Sequence, residues 1–344
     1  MPKTRVFITS PLEPENVERI RAVDPARLDV DYQPDLLPPT RYIGDHVGAP
    51  FNRTEEQQRR WLEALGAAEV LWDVPRSTEQ LAAARKLRWV QQTSTGVGQL
   101  MKGLGLRPEV LVTTARGVHA APLAEFVFMV LLAHWRGLGH LQAEQRLRRW
   151  TRYCGEGVAG RRLVVIGAGD LARGLAQRAR ALDMITTVIG RDATKSRAHN
   201  ALFHEIRPRS DLHAALAKAD AVVVTVPHTP ETEGMIDRAA FAAMKSGVVF
   251  VNIARGQVID EAALLDGLRS GHIGFAALDV FKTEPLPAAS PFWDLPNVLI
   301  SPHSASTVVG ENAAITEIFC WNLRCWLDGR PGEMRNVLDK QLMY

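Results

Sequence analysis

Cysteine is scarce in this sequence, with three residues among 344. A small and odd number excludes the disulfide framework that holds many small secreted domains together. Cys320 and Cys325 are five positions apart on a predicted helix, so their side chains point in different directions. We therefore expect reduced thiols and a cytoplasmic protein.

Long apolar runs and an excess of charge of one sign are also missing. The first residues, MPKTRVFITSPLEPE, contain no apolar region of a signal peptide. The most apolar stretch, FVFMVLLA, begins at Phe126 and ends at Ala133, about half the length that a membrane-spanning helix needs. The formal net charge is +3, and the Lys and Arg residues are scattered. The sequence thus predicts neither a membrane partner nor a nucleic-acid partner.

The stretch from Phe126 to Ala133 has a second property that bears on assembly. It lacks the polar side chains that mark the solvent side of a surface helix, so it is predicted to be a helix buried on all sides. Its second covering would be either another domain or a second subunit.

Short apolar segments alternate with helical patterns along almost the whole chain. This repetition predicts parallel sheets that are covered by helices. At 344 residues the chain is long enough for two such domains. The least regular stretch, residues 34–54, is predicted to be a surface loop. The predicted strands lie at residues 5–9, 68–74, 87–93, 109–115, 162–167, 185–190, 220–226, 247–253, 274–280 and 297–303.

A glycine-rich turn joins the predicted strand at residues 162–167 to the helix that follows it. Gly167, Gly169 and Ala172 form a G-x-G-x-x-A pattern. In a dinucleotide-binding unit the first position makes the tight turn, the second admits a pyrophosphate, and the third allows close helix–strand packing. The amides near Asp170 and Leu171 would then face the anion at the helix N-terminus. The alternative is a turn that merely connects strand to helix.

Three ionisable residues follow three consecutive predicted strands. Arg255 ends the first, Glu284 lies a few residues beyond the second, and His303 ends the third. Ligands bind outside the carboxyl ends of the strands in an open α/β sheet, so these side chains are predicted to converge beside the dinucleotide. Singly, they could be a surface ion pair, a turn carboxylate and a structural histidine. Together they indicate a site in which Arg255 binds an anion, with Ala254 and Gly256 keeping the approach open.

With these residues, the sequence resembles the D-isomer-specific 2-hydroxyacid dehydrogenase family, in particular glyoxylate/hydroxypyruvate reductases. The resemblance covers most of residues 113–306 and is most specific at NIARG, ALDVF, EPLP and SPH, in that order. It is looser in the N-terminal part, around WVQQTSTGVG. The other segments that carry it are VTTARGVHAAPLAEFVFMVLLAHWR, VIGAGDLARGLA and VPHTPETEGMID.

The resemblance implies two doubly wound α/β domains, Rossmann-like and flavodoxin-like, with an active cleft between them. Residues 1–116 and 305–344 would form a discontinuous substrate-binding domain. Residues 117–304 would form the dinucleotide-binding domain. Family members are usually dimers that pack through the helix following APLAEF, so the resemblance also implies a homodimer formed through the helix from Phe126 to Ala133.

The resemblance assigns a role to each catalytic candidate. Arg255 would bind the substrate carboxylate and polarise its carbonyl. His303 would be the acid–base, and Glu284 would orient it and favour its charged form. Asp279 would face the nicotinamide. The resemblance also implies that Pro227 and Ala254 contact the cofactor. The backbone amides of Thr95, Gly96 and Val97 would bind the substrate carboxylate.

The choice between NADP(H) and NAD(H) depends on the end of the second strand of the dinucleotide domain. NAD-binding units normally place an acidic residue there to accept hydrogen bonds from the ribose 2′-OH. In the family register this position is Gly190, and Arg191 follows, with Lys195 and Arg197 close by. These residues favour the 2′-phosphate of NADP(H). NAD(H) stays open, because a shift of one or two residues would bring Asp192 to the ribose.

Other residues yield weaker predictions. His228 is interpreted as a solvated loop residue, and His119 as either a hinge contact or a surface residue. No group of Cys, His and Asp has metal-ligand spacing, so no metal site is predicted. Gly98 and Gln99 stand where relatives often carry acidic or His residues, which leaves the substrate open.

The sequence therefore predicts an oxidoreductase that transfers a hydride between NAD(P)H and a small 2-oxo acid or D-2-hydroxy acid, glyoxylate or hydroxypyruvate for instance. One alternative is a non-enzymatic dinucleotide sensor of the same fold, which would keep the same three ionisable residues. Another is a phosphoglycerate dehydrogenase without a regulatory domain. Since residue 344 ends the sequence without such a domain, the reductase is the favoured interpretation.

Overall fold

The computed structural model describes residues 2–75, 77–97, 103–191 and 202–340. The chain divides into two compact units, Met1–His119 with Thr307–Tyr344, and Ala120–Ser306. Each unit is built on one parallel sheet, of five strands in the first and seven in the second. The predicted fold class of two parallel α/β domains is confirmed. The assignment of substrate binding to the first unit and dinucleotide binding to the second stays a prediction.

The first unit has a flavodoxin-like sheet with the strand order β2-β1-β3-β4-β5. Its strands are β1 (Thr4–Ile8), β2 (Leu28–Asp31), β3 (Val70–Trp72), β4 (Trp89–Gln91) and β5 (Leu111–Thr113). Its helices are α1 (Pro14–Arg21), α2 (Glu55–Ala67), α3 (Thr78–Ala83) and the C-terminal helix (Glu311–Leu327). A 3₁₀ turn within the loop predicted at residues 34–54 spans Pro34–Leu36, and another spans Pro331–Glu333.

Helices cover both faces of this sheet, because alternate strand residues enter two separate cores. Phe7 packs with the α2 residue Trp61 on one face. Trp72 and Trp89 pack on Phe319 of the C-terminal helix on the other. A parallel sheet that is buried in this way requires apolar residues on both faces, which explains the apolar sequence VLW of its interior strand β3.

The second unit has a Rossmann-type sheet with the order β8-β7-β6-β9-β10-β11-β12. Its strands are β6 (Arg162–Ile166), β7 (Ile185–Gly190), β8 (Glu205–Pro208), β9 (Ala221–Val224), β10 (Val248–Asn252), β11 (Ile273–Leu278) and β12 (Val298–Ile300). Its helices are α4 (Ala120–Trp135), α5 (Leu138–Arg146), α6 (Asp170–Ala181), α7 (Leu212–Leu216), α8 (Arg238–Ala242) and α9 (Glu261–Arg269). Its 3₁₀ turns span Arg209–Asp211, Gly256–Val258 and Pro291–Asp294.

In this sheet too, alternate strand residues point into two cores, each of which is covered by a layer of helices. Val164 and Phe250 face a core that α7, α8 and α9 complete. Val165 and Val251 face a second core, with α4 and α6. The two layers fix the sheet from both sides, so the loops at the carboxyl ends of its strands are carried on a rigid base.

Helix α4 contains the stretch that was predicted to be buried on all sides. Within the chain Val127 and Leu131 are buried, but Met129 is 52% exposed, so burial of this side by a second subunit stays a prediction. No single helix in the described ranges has both the length and the apolar composition of a membrane span. Among the described helices, α4 and α5 taken together have this length and composition, but they are bent by 60° at the break between them.

Candidate functional site

The register of three strands places the predicted ionisable residues at the carboxyl ends of the strands of the second sheet. Asn252 pairs with Leu278, and Leu278 pairs with Ile300, so the carboxyl ends of β10, β11 and β12 form one row. Arg255 and His303 each lie three residues beyond this row. The carboxyl ends of parallel strands all lie on the same side of the sheet, which is why three separate sequence segments meet here.

Glu284 and His303 form a hydrogen-bonded pair. The distance from His303 Nδ1 to Glu284 Oε2 is 2.8 Å. The other oxygen of Glu284 accepts a hydrogen bond from the amide of Phe281 at 2.9 Å. Burial raises the pKa of Glu284, but the hydrogen bonds from His303 and Phe281 and the charge of Arg255 outweigh it and hold this pKa below its usual value.

The ionised carboxylate fixes the orientation of the imidazole. A carboxylate only accepts hydrogen bonds, so Nδ1 of His303 carries the proton of this contact. Nε2 then has no hydrogen-bond partner within the described part of the chain. The ring is partly open to solvent, with 45% of the side chain exposed, so Nε2 is accessible for proton exchange with a ligand.

The backbone at His303 is strained, with a φ of +55°. This left-handed conformation is unfavourable for a residue with a Cβ and persists where the surroundings impose it. Asp279 provides that support. Its carbonyl accepts the amide of His303 at 2.9 Å, and its Oδ1 accepts the hydroxyl of Ser301 and the amides of Ser304 and Ala305 at 2.6–2.9 Å. Asp279 therefore holds the loop that presents the imidazole.

Arg255 is a partly buried cation. Its Nη1 donates to the carbonyl of Ala254 at 2.6 Å, and none of the described carboxylates forms an ion pair with it. Burial lowers the pKa of Arg255, while the charges of Glu284 and Asp279 raise it. An arginine stays protonated even so, because its ordinary pKa is far above neutral. The guanidinium therefore has donors left for an anionic ligand.

The turn that follows β10 is shaped by Gly256 and Asn252. That Gly256 keeps the approach to Arg255 open stays a prediction, and the structure gives a further reason for glycine at this position. A Cβ at Gly256 would lie 2.0 Å from the carbonyl carbon of Phe281, so glycine is required by close backbone packing. Asn252, which was not singled out, is fully buried and bonds to the amide of Ala254 and the carbonyl of Arg255.

The phosphate-binding turn has the features that a pyrophosphate requires. Gly167 has a φ of +118°, and a Cβ there would lie 2.5 Å from the hydroxyl of Thr225. Apart from Gly169 itself and the residues next to it in the chain, no described atom lies within 4 Å of the Cβ position of Gly169, so this side of the turn is open. The N-terminus of α6 has no side-chain cap, and Ala172 is buried against the sheet. Asp170 is exposed and lies 3.8 Å from Arg173. These residues fit a dinucleotide pyrophosphate.

The predicted cofactor-discriminating position lies at the end of β7. Gly190 is its last residue and pairs with Pro208. Arg191 follows and is exposed, and its Nε lies 3.4 Å from Oε2 of Glu231. The basic and acidic residues that were weighed beyond it, Asp192, Lys195 and Arg197, lie outside the described residues.

The loop after β9 contains two further residues of the sequence prediction. The carbonyl of Pro227 accepts a hydrogen bond from the hydroxyl of Thr232 at 2.6 Å. His228, interpreted as a solvated loop residue, lies with Nε2 2.9 Å from Oε2 of Glu233. The loop is thus internally bonded.

The predicted substrate-carboxylate residues lie in the first unit, after β4. Thr95 and Gly96 are exposed, whereas Val97 is buried and its amide donates to the carbonyl of Thr95. The hydroxyl of Thr95 lies 3.1 Å from Nδ1 of His119, whose Nε2 lies 2.9 Å from Glu311. His119 is thus an internal contact of this unit. Gly98 and Gln99 lie outside the described residues.

Among the residues that the structure describes, no group of three or more His, Cys, Asp or Glu side chains is arranged to hold a metal ion. The three cysteines are free, with Cys154 exposed and Cys320 and Cys325 buried.

Known proteins match both the sequence and the fold. The D-3-phosphoglycerate dehydrogenase of Mycobacterium leprae is 34% identical over 77% of this chain and 52% of its own length. The chain thus spans about half the length of the first such relatives. The glyoxylate reductase of Thermococcus kodakarensis is 32% identical over 73% of this chain and 77% of its own length.

Two solved structures have the same architecture over nearly the whole chain. A D-isomer specific 2-hydroxyacid dehydrogenase family protein from Aeromonas salmonicida has a TM-score of 0.82 and 28% identity, covering 98% of this chain and 99% of that one. The NADPH-dependent glyoxylate/hydroxypyruvate reductase of Sinorhizobium meliloti, solved with NADP and sulfate, has a TM-score of 0.78 and 25% identity, covering 99% and 100%.

The family model described as "D-isomer specific 2-hydroxyacid dehydrogenase, NAD binding domain" matches residues 128–305, slightly more than half of the chain. This range contains the glycine-rich turn and the Arg255, Glu284 and His303 segments. The chain belongs to the D-isomer specific 2-hydroxyacid dehydrogenase family.

Proposed function

We propose that the protein reduces small 2-oxo acids of the glyoxylate and hydroxypyruvate type to D-2-hydroxy acids, with NADPH as the preferred hydride donor. The observation that carries this proposal is that the Glu284–His303 pair and Arg255 follow the carboxyl ends of neighbouring strands. Arg255 is there a cation without a described carboxylate partner. A proton donor and an anion receptor are what reduction of a 2-oxo acid needs from the protein.

Arg255 has the chemistry to bind the substrate. Its planar guanidinium can donate two parallel hydrogen bonds to a carboxylate, and partial burial strengthens them by limiting competition from water. From that position it would also polarise the neighbouring carbonyl. Lysine could supply the charge but not the planar fork.

His303 would supply the proton. Reduction turns the carbonyl oxygen into a hydroxyl, so a donor must be close to this oxygen during the reaction. Nε2 is the free nitrogen, because Nδ1 is held by Glu284 at 2.8 Å. In the reverse direction, the neutral imidazole would accept the proton from the hydroxy acid.

A nicotinamide dinucleotide would supply or accept the hydride at C2 of the substrate. The turn from Gly167 to Ala172 would hold its pyrophosphate, since Gly169 leaves open space and the N-terminus of α6 presents amides. Pro227, Ala254 and Asp279 are proposed to line the rest of its site. Thr95 and Gly96 are proposed to bind the substrate carboxylate with their amides.

The preference for NADPH is proposed from the end of β7. Gly190 has no carboxylate to bond a ribose 2′-OH or to repel a 2′-phosphate. Arg191, the next residue, is exposed and can bind a phosphate. The NADP complex of the Sinorhizobium meliloti reductase supports this choice.

A second candidate activity is the oxidation of 3-phosphoglycerate or the reverse reaction. It is favoured by the identity of 34% to the Mycobacterium leprae phosphoglycerate dehydrogenase. The two activities differ in the substrate tail, which is a hydrogen or hydroxymethyl group in one case and a phosphorylated carbon in the other.

The test is a turnover assay of the purified protein with glyoxylate, hydroxypyruvate and 3-phosphohydroxypyruvate, each with NADPH and with NADH. We expect the highest kcat/KM for an unphosphorylated acid with NADPH. The highest value for 3-phosphohydroxypyruvate would favour the second candidate. Dinucleotide binding without turnover on any acid would contradict both and favour a sensor. In the same assay Arg255→Lys should raise KM for the 2-oxo acid sharply.

A further inference from the structure

An acidic residue is paired with the arginine that is proposed to bind the 2′-phosphate. Nε of Arg191 lies 3.4 Å from Oε2 of Glu231, and both side chains are 62% exposed. Gly190, the residue before Arg191, offers no carboxylate of its own. Glu231 therefore brings to the end of β7 a negative charge that this strand does not carry.

The position of Glu231 is fixed by the turn in which it lies. Thr232 donates its hydroxyl to the carbonyl of Pro227 at 2.6 Å and accepts the amide of Thr229 at 2.8 Å. The amides of Thr232 and Glu233 both donate to the carbonyl of Thr229 at 3.0 Å. These bonds close a compact turn, so the backbone of Glu231 is held where its side chain reaches Arg191.

We propose that Glu231 is a specificity-determining residue that competes with the 2′-phosphate of NADP(H) for Arg191. The inference rests on the proposed role of Arg191 in cofactor choice. When the phosphate binds, the guanidinium must exchange a carboxylate partner for a phosphate partner, and the released carboxylate then stands beside another anion. Both effects weaken the binding of NADP(H) and leave NAD(H), which has no charge at this position, unaffected.

The expected size of the effect is modest because the pair is open to solvent. Exposed ion pairs are worth little in water, and salt screens them further. Removing the carboxylate while keeping the shape, as in Glu231→Gln, should therefore raise affinity for a 2′-phosphate by about two- to five-fold. The gain should shrink as the ionic strength increases.

Direct binding separates this effect from catalysis. We would titrate the full-length protein with 2′,5′-ADP, which carries the 2′-phosphate, and with 5′-AMP, which lacks it, using calorimetry at low and high salt. The variants are Glu231→Gln, Arg191→Ala and Glu233→Gln. Glu233 is the matched control, since it lies in the same turn but contacts His228 instead of Arg191. Its substitution removes the same charge without freeing the arginine.

Three results together support the inference. Glu231→Gln binds 2′,5′-ADP more tightly at low salt, Arg191→Ala binds it more weakly, and Glu233→Gln binds it like the parent protein. Affinity for 5′-AMP stays the same in all of them. NADPH against NADH specificity should then shift toward NADPH in Glu231→Gln by a similar factor.

Other results would overturn it in distinguishable ways. If Arg191→Ala weakens 2′,5′-ADP but Glu231→Gln does not strengthen it, the inference fails and the proposed role of Arg191 stands. If Arg191→Ala has no effect, both fail. Equal gains in Glu231→Gln and Glu233→Gln would show a general charge effect in place of competition. Weaker 5′-AMP binding in Glu231→Gln alone would make Glu231 a ribose ligand.

Discussion

His303 is the residue on which the proposed chemistry depends most directly. Its ring is held on one side by Glu284 and its backbone is held in the left-handed region by Asp279. Strain that is imposed by neighbouring hydrogen bonds is frequent at sites where a side chain must keep one direction. The geometry thus fixes the direction of Nε2 before any ligand arrives, which reduces the entropy lost on binding.

Replacement of this imidazole tests the assignment of the proton donor. His303→Ala should lower kcat for 2-oxo acid reduction by about 10²–10⁴-fold, the range for loss of a general acid. The dissociation constant for NADPH, measured by fluorescence titration, should change little, because the pyrophosphate turn is a separate part of the unit. A kcat within a few-fold of the parent would show that another group donates the proton.

Glu284 should control the pH range of the reaction. Its pKa lies below the usual value, so Glu284 stays a carboxylate and keeps accepting the hydrogen bond from Nδ1 of His303 until the pH falls below that lowered pKa. Reduction by the parent protein should therefore lose the support of this carboxylate only on the acid side of the pH profile. In Glu284→Gln no carboxyl group titrates at this position, so the part of the acid-side decline of kcat/KM that Glu284 causes should disappear. The measurement is the pH profile of kcat/KM of parent and variant between pH 4 and 9, and an identical acid-side decline in both would show that Glu284 does not control it.

At the scale of secondary structure, the interior strands and the edge strands β5 and β12 were predicted, whereas the two other edge strands were not. β7 was predicted with the bounds that it has, because it is apolar and ends at a glycine. β2 and β8 were missed. Both are four residues long and lie at sheet edges, where partial exposure permits charged residues such as those in LDVD and EIRP. A hydrophobic pattern carries little information where only part of a strand is buried.

The residues of the candidate site were likewise predicted only in part. Arg255, Glu284 and His303 could be predicted because each follows a recognisable strand, and parallel strands end at a common edge. The supporting contacts could not, since they join segments that are distant in sequence. Gly256 packs on the backbone of Phe281, and Asp279 holds the loop at His303. Such contacts depend on side-chain direction and loop path, which periodicity does not encode.

The turn between β6 and α6 allows a test in which fold and cofactor binding are separated. Gly169 has ordinary backbone angles and open space around its Cβ position, so Gly169→Ala should keep the free energy of unfolding, measured in urea, within about 0.5 kcal/mol of the parent's. The added methyl group would occupy the space proposed for the pyrophosphate, so the dissociation constant for NADPH should rise at least about ten-fold. Gly157→Ala, with equally open surroundings, is the control and should change neither quantity.

At the scale of the whole molecule, the second unit presents an apolar surface that we call the α4–α5 surface. α5 contains no buried residue, and Trp150, four residues after its end, is 99% exposed. Single exposed apolar residues are common on proteins, whereas a contiguous group of them is typical of an interaction site. The large exposed side chains of this surface are Met129, Leu138, Leu141, Leu147 and Trp150.

We propose that a second copy of the chain covers the α4–α5 surface, and this gives the last prediction. The parent protein should sediment with twice the mass of one chain, and Met129→Glu combined with Leu141→Glu should sediment as one chain, because a buried unpaired carboxylate opposes association. Leu62→Glu, a partly exposed position on α2 of the first unit, is the control and should stay dimeric. Circular dichroism would show that the fold is intact. A parent that sediments as a single chain at micromolar concentration, or a double variant that remains a dimer, would contradict the proposal.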